Sequence, residues 1–387
     1  MQALLEFRGS SVADKRCRGP GRVRACNLTR RRAESAAMIK PWLFEFFTSF
    51  DRRGMADFDA AACADDFSWY LEQWTRAEQS GFEGIFFAEH HFYPGRYSPS
   101  PNLLVAAVAA RTRTLRLGTM GNVVPLYEPW RLAEEYSMLD HLSGGRLEIG
   151  LASGIGPREY RKTGLSAEDV RPRFDEALDI IDGLLLQPTI THRGRFWMLP
   201  ELGIAPRPLQ QPLPPRWLTG LSAQTAAQAA RRGYKFCTGF LAIETIAALF
   251  GEYRQAAAAA GRTGDAYDLG LRRMVYIADD TAEASGIGEA ALSGLRSIVG
   301  RDSAAPTSVA DAPQPRRGGP PIADTEMISG TASDVAAQII EQCRACGAGH
   351  FMAYAVNALT RAQAARSLEL WRQVIPLLRR ADLTGTA

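Results

Sequence analysis

The chain has 387 residues, 46% of them hydrophobic, and a formal net charge of +3. That is enough to bury a large core, and no apolar run is long enough to cross a bilayer as a helix. The positive excess lies in residues 1–37, with nine Lys or Arg against three acids; the remainder holds 36 against 39, which argues against a nucleic-acid surface on the folded body.

The leader at 1–37 has no apolar segment of the secretory kind, and Glu6, Asp14 and Glu34 speak against an organellar transit sequence. It reads as a disordered basic leader, with translation expected to start at Met38, and the chain as a cytoplasmic protein. From Pro41 onward, short apolar runs alternate with amphipathic patterns. Strands are expected at 42–47, 84–88, 115–124, 147–152, 216–219, 234–238, 274–278 and 350–356. Helices are expected at 67–79, 102–111, 131–142, 173–186, 223–231, 243–260, 332–345 and 361–378. Eight such units predict a (β/α)8 TIM barrel over residues 38–380.

Two stretches break this rhythm around the fourth helix, 156–170 and the proline-rich 187–215, and loops of this length on a barrel commonly serve as lids or binding loops. A third, the Ser-, Ala- and Pro-rich stretch 301–323, reads as a mobile insert before the eighth strand. Six scattered cysteines form no metal-ligand spacing, and no metal is expected. Cys343 and Cys346 fall late in a helical pattern rather than at a helix start, which makes them structural.

Chemistry on such a barrel belongs at the carboxyl ends of the strands. There the second strand delivers Glu89-His90-His91. An imidazole of near-neutral pKa can exchange a proton with a reacting centre, and Glu89 could fix its tautomer. The competing reading is a satisfied polar cluster closing the barrel. Adjacent strand residues point to opposite faces, so the two histidines do not readily share a metal ion. After the fifth strand, Ser222 is placed as the N-cap of a helix with Ala223 and Thr225 in its first turn. That is an anion site able to hold a phosphate, or a plain serine cap. Ser153-Gly154 ends the fourth strand and Thr119-Met120-Gly121-Asn122 the third; small residues there let backbone approach a flat ligand, or merely form tight turns. His141, His192 and His350 are assigned to structure. No dinucleotide, phosphate-loop, serine-hydrolase or zinc-protease motif is present.

Several ordered segments together resemble the bacterial luciferase family of flavin-dependent monooxygenases over residues 41–376. They are Gly81-Phe82-Glu83-Gly84-Ile85-Phe86-Phe87-Ala88-Glu89-His90-His91-Phe92, Leu117-Gly118-Thr119 with Val124-Pro125, Leu139-Asp140-His141-Leu142-Ser143-Gly144-Gly145-Arg146, Arg173-Phe174-Asp175-Glu176-Ala177-Leu178, His192-Arg193-Gly194-Arg195-Phe196 with Pro206-Arg207-Pro208, and Gly330-Thr331.

The resemblance implies a (β/α)8 barrel that binds reduced FMN, or in some members F420, over the strand ends. It places the family's catalytic histidine on His90, the flavin phosphate at Ser222, Ala223 and Thr225, and a non-prolyl cis peptide at about Met120-Gly121. It implies a C4a-peroxyflavin route in which dioxygen oxidises a small organic substrate, a separate NAD(P)H:flavin reductase, and pairing as a homodimer. The luciferase catalytic subunit has cysteine then arginine where this chain has Ala152 and Ser153, so weak or transient flavin binding is expected. F420-dependent hydride transfer and a non-catalytic flavin-binding or partner subunit are the alternatives.

Overall fold

The computed structural model describes residues 38–383, apart from 52–53, 94, 155–156, 305–321 and 357–358. Eight strands follow in chain order: β1 Lys40–Glu45, β2 Gly84–Phe87, β3 Arg116–Thr119, β4 Leu147–Ala152, β5 Arg216–Thr219, β6 Lys235–Thr238, β7 Leu269–Ile277 and β8 His350–Ala355. Each pairs in parallel with the next, and β8 pairs with both β7 and β1. The sheet therefore closes on itself as a (β/α)8 barrel.

The outer helices are α1 Ala60–Ser80, α2 Pro101–Ala109, α3 Pro129–Ser143, α4 Pro157–Thr163, α5 Ala167–Leu186, α6 Ala223–Arg232, α7 Ile243–Ala259, α8 Thr281–Ala304, α9 Ala332–Cys346 and α10 Arg361–Arg380. Local chemistry sets their ends. The Asp59 carboxylate accepts from the amides of Ala61 and Ala62 to start α1, and Gly81, at a φ of 90° that suits glycine, stops it. Reciprocal capping boxes, Thr331 with Asp334 and Thr360 with Gln363, open α9 and α10.

Strand residues alternate between two buried layers, which explains why the strands read as nearly continuous apolar runs. Leu43, Ile85, Leu117, Ile149, Leu218, Phe236, Leu271 and Phe351 face the helices. Trp42, Phe44, Phe86, Trp217, Met274, Tyr276, Met352 and Tyr354 fill the barrel. Polar groups close its amino-terminal end. Trp42 Nε1 donates to His350 Nδ1 at 2.8 Å, and His350 Nε2 lies 3.0 Å from the Tyr267 carbonyl. Burial, reinforced by nearby Lys235, pushes the His350 pKa well down, so the ring is neutral.

Several boundaries differ from expectation. The third run splits at a cis Met120–Gly121 peptide, beyond which the short strand Asn122–Val123 pairs with β4. β7 begins five residues earlier than its apolar run, because Arg272 and Arg273 are buried strand residues paired with an acid. The long α8 was not expected, since Gly286, Gly288 and Gly294 dilute its helical signal. The 187–215 stretch contains an antiparallel hairpin, Ile190–Arg193 with Met198–Leu202. Of the 301–323 insert, 301–304 complete α8, Ile322 is buried and its carbonyl accepts from Arg296, the Ala323 amide donates to the Phe240 carbonyl at 2.9 Å, and 305–321 lie outside the described residues, as does the 1–37 leader. Cys343 and Cys346 are buried within α9, where burial pushes the Cys346 thiol up to about 11. No described helix is long and apolar enough to cross a membrane.

Candidate active site at the carboxyl mouth of the barrel

β2 ends at Phe87, and the next four residues set the chemistry of the mouth. Ala88 still bonds to β1, its amide donating to the Glu45 carbonyl at 2.9 Å. Glu89 then turns into the wall between β2 and β3 and is 4% exposed. Its Oε2 accepts from Tyr127 Oη at 2.6 Å, Asn122 Nδ2 at 3.0 Å and the Val123 amide at 3.2 Å. Its Oε1 lies 2.8 Å from His91 Nε2. Four partners satisfy a buried carboxylate that would otherwise be costly.

This arrangement corrects the expectation that Glu89 orients His90. The two histidines do point apart, but Glu89 takes His91. The acid that faces His90 is Glu159 on α4, 3.6 Å from His90 Nδ1. Glu159 also accepts the His91 amide at 2.8 Å. Burial opposes its ionisation, yet the His90 imidazole and the His91 amide together hold its carboxyl below the ordinary value. The opposite face of the site is aromatic. Phe46 stacks on the His90 ring at 5.1 Å with 19° between planes, and the Arg96 guanidinium lies 4.6 Å from the centre of the same phenyl ring. Glu159, Phe46 and Arg96 were missed in the sequence. Only the length of the 156–170 excursion hinted that a residue there reaches the mouth.

His91 gives the site a pH signature. Its bond to Glu89 is the largest influence on its pKa and raises it, with burial opposing. A raised folded value means that the pair's stabilisation is complete below the ordinary imidazole value of 6.5 and is lost as pH rises through the higher folded value. Thermal unfolding midpoints measured between about pH 6 and 9 should therefore fall more steeply for the wild type than for His91→Gln. Parallel profiles would remove the ion pair from the stability of the mouth.

The other expected residues fall into three groups. Thr119 and Asn122 are buried, and their side chains serve the Glu89 wall: Thr119 Oγ1 lies 2.9 Å from Asn122 Oδ1 and 2.8 Å from the Gly150 carbonyl, and Tyr136 Oη donates to Asn122 Oδ1 at 2.9 Å. Only their backbone remains for a ligand. Met120 lies in the barrel interior, and Gly121 follows it across the cis bond with its Cα so close to β4 that a Cβ would sit 2.7 Å from the Leu151 carbonyl carbon.

At the end of β4, the Ser153 carbonyl accepts from the Tyr160 hydroxyl, and Gly154 has a φ of 89° with Tyr160 packed where a Cβ would lie. Across the mouth, Ser222 caps α6: its Oγ accepts the Thr225 amide at 3.3 Å and lies 3.0 Å from Thr225 Oγ1. Ser222 and Ala223 are exposed and Thr225 half-buried. The first amides of α6 and two hydroxyls thus stand together at the surface, a donor set suited to an oxyanion.

Known proteins share the sequence pattern and the fold of this chain. Residues 44–350 match the luciferase-like monooxygenase family. The chain is 39% identical over 215 residues to an uncharacterised protein of Sinorhizobium fredii, covering 55% of this chain and 61% of that protein. It is 32% identical over 212 residues to the oxygenase component of the flavin-dependent trigonelline monooxygenase of Acinetobacter baylyi, covering 54% and 58%. The chain thus spans about three-fifths of the length of these relatives. Among solved structures, monooxygenase RslO1 from Streptomyces bottropensis superposes with a TM-score of 0.73 at 26% identity over 87% of this chain and 99% of that one. The fold is shared, at a TM-score of 0.68 in each case, with the oxygenating constituent of 3,6-diketocamphane monooxygenase from Pseudomonas putida in complex with FMN (20% identity, 88% and 98% covered). It is shared equally with an F420-dependent secondary alcohol dehydrogenase (17% identity, 88% and 99% covered).

Proposed function

This chain belongs to the luciferase-like monooxygenase family, and from that premise we propose that it is a flavin-dependent monooxygenase that uses reduced FMN and dioxygen to oxidise a small organic substrate. The observation that carries the reading is the convergence on one barrel mouth of a partly exposed imidazole, His90, and an exposed helix start with two hydroxyls, Ser222 and Thr225. The residues fit a flavin mononucleotide. The α6 start offers donors for its phosphate. When bound, reduced flavin supplies the two electrons with which dioxygen is activated.

The chain's own contribution is binding, exclusion of water and proton handling. With Nδ1 of His90 turned to Glu159, Nε2 is the nitrogen that can exchange a proton at the mouth. Phe46 fixes the ring plane from one side. α4 carries Glu159 and Tyr160 over the end of β4, where they limit access of water. A relative described as an oxygenase component supports a separate NAD(P)H:flavin reductase. So does the serine at 153, which supplies no cation for a permanently held phosphate. Exposed Leu103, Met138 and Leu142 on α2 and α3 provide apolar surface for a homodimer, in a cytoplasmic setting.

Anaerobic titration with reduced FMN and with reduced F420, followed by oxygen and product analysis, tests the reading. FMN should bind more tightly and oxygen should be consumed; tighter F420 binding with no oxygen consumption would make the chain a hydride-transfer enzyme. Ser222→Ala combined with Thr225→Val should weaken reduced FMN by about tenfold, the equivalent of one or two lost hydrogen bonds to a charged group. Unchanged FMN affinity in that variant would move the phosphate away from α6.

A further inference from the structure

β7 places two consecutive arginines on opposite faces of the barrel wall, and both are buried: Arg273 is 0% exposed and Arg272 5%. They share one carboxylate. Arg272 Nη2 donates to Glu326 Oε1 at 2.6 Å and Arg273 Nη1 to Oε2 at 3.1 Å. Arg273 is otherwise satisfied, with Nε on Gln342 Oε1 at 2.8 Å and Nη2 on the Leu241 carbonyl at 3.1 Å. Arg272 is not: its Nη1 is buried and has no hydrogen-bond partner among the described residues. Two cations thus face one carboxylate in a place shielded from water, and the Nη1 amino group of Arg272 is unused. Such a group is costly to leave unpaired.

Its surroundings show where it points. The guanidinium carbon lies 3.9 Å from the centre of the Phe240 ring, 5.7 Å from that of Tyr354 and 5.8 Å from that of Phe44. It rests against the backbone just past β6, where a Cβ on Gly239 would meet Nε and Nη2 at 2.8 Å. From there an aromatic path leads to the reacting imidazole: Tyr354 lies 4.5 Å and Phe44 5.1 Å from Phe46, which stacks on His90. Arg272 therefore occupies the same mouth as His90, several ring widths away. The oxyanion donors of α6 follow β5, whereas Arg272 belongs to β7.

Resting on the monooxygenase reading above, we propose that Arg272 determines substrate class by receiving the carboxylate of an anionic substrate whose flat apolar body lies along Phe44, Phe46 and Tyr354. The fork of a guanidinium matches a carboxylate in geometry as well as charge. Phe240, which covers the guanidinium, gives way to admit it.

Calorimetric titration of the flavin-free full chain with sodium benzoate and with the neutral isostere benzamide tests the proposal. Benzoate should bind at least about tenfold more tightly. Arg272→Met should abolish that preference and Arg272→Lys retain part of it, with circular dichroism checking that both fold. Equal affinity for the two probes, no benzoate binding, or a preference that survives in Arg272→Met overturns the proposal. So does displacement of benzoate by FMN together with equal weakening of both ligands in Arg272→Met, which would make Arg272 a phosphate ligand. The comparison in wild-type protein needs no variant and no turnover. Absence of a benzoate preference in the wild type beside intact FMN binding and oxygen use would sink the substrate assignment alone. Failure to bind reduced FMN beside an intact preference would sink the monooxygenase reading and leave the carboxylate site standing.

Discussion

His90→Ala lowers turnover by about 10²- to 10⁴-fold, the range expected for loss of a positioned proton-transfer group, and diverts the oxygen still consumed into hydrogen peroxide. The expectation rests on the position of the ring. It stands at the strand end with one nitrogen toward Glu159, one face on Phe46 and a quarter of its side chain exposed. Product formed per oxygen consumed separates this role from a structural one. A purely structural histidine would change the amount of folded enzyme without altering that ratio. His90→Gln keeps a hydrogen-bonding group of similar reach but cannot titrate, and should resemble the alanine variant. A glutamine variant with normal turnover and coupling would take proton transfer away from this position.

Glu326→Ala destabilises the protein by about 3–5 kcal/mol, because it strands two buried guanidinium groups without their shared anion. The carboxylate also accepts the Phe240 amide at 2.7 Å, so the loop after β6 loosens as well. Glu326→Gln should cost less than the alanine change, since it keeps an acceptor while losing the charge. Urea unfolding of the three proteins gives the comparison directly. A shift below about 1 kcal/mol for Glu326→Ala would show that water reaches the cluster and that the arginines are not desolvated.

The barrel was legible because its strands are buried on both faces and so appear as short apolar blocks between amphipathic helices. β4 and β5 match their apolar blocks at both ends. β7 was read short because Gly270, Arg272 and Arg273 interrupt the block, and nothing local shows that their charges are met by Glu326 more than fifty residues later. The mouth follows the same rule. Glu89, His90 and His91 are adjacent in sequence and lie past the end of β2, where the two imidazoles meet different acids. The choice of acid for each depends on α4, a seven-residue helix with too few turns to announce a buried face. Thr119 and Asn122 look like ligand-facing polar residues because they end a strand, but their role in holding Glu89 is set by Tyr127 and Tyr136 from the following segment.

The division of acids between the neighbouring histidines gives the excursion a means of reporting its own position. Glu89 belongs to the wall and stays with His91 whatever the excursion does, whereas Glu159 rides on α4. Any swing of α4 away from the mouth would carry Glu159 away from His90 Nδ1 and open the same space to solvent. The acid that faces the imidazole and the cover over the end of β4 therefore travel on one short helix, so that His90 has its carboxylate neighbour only while that cover is in place.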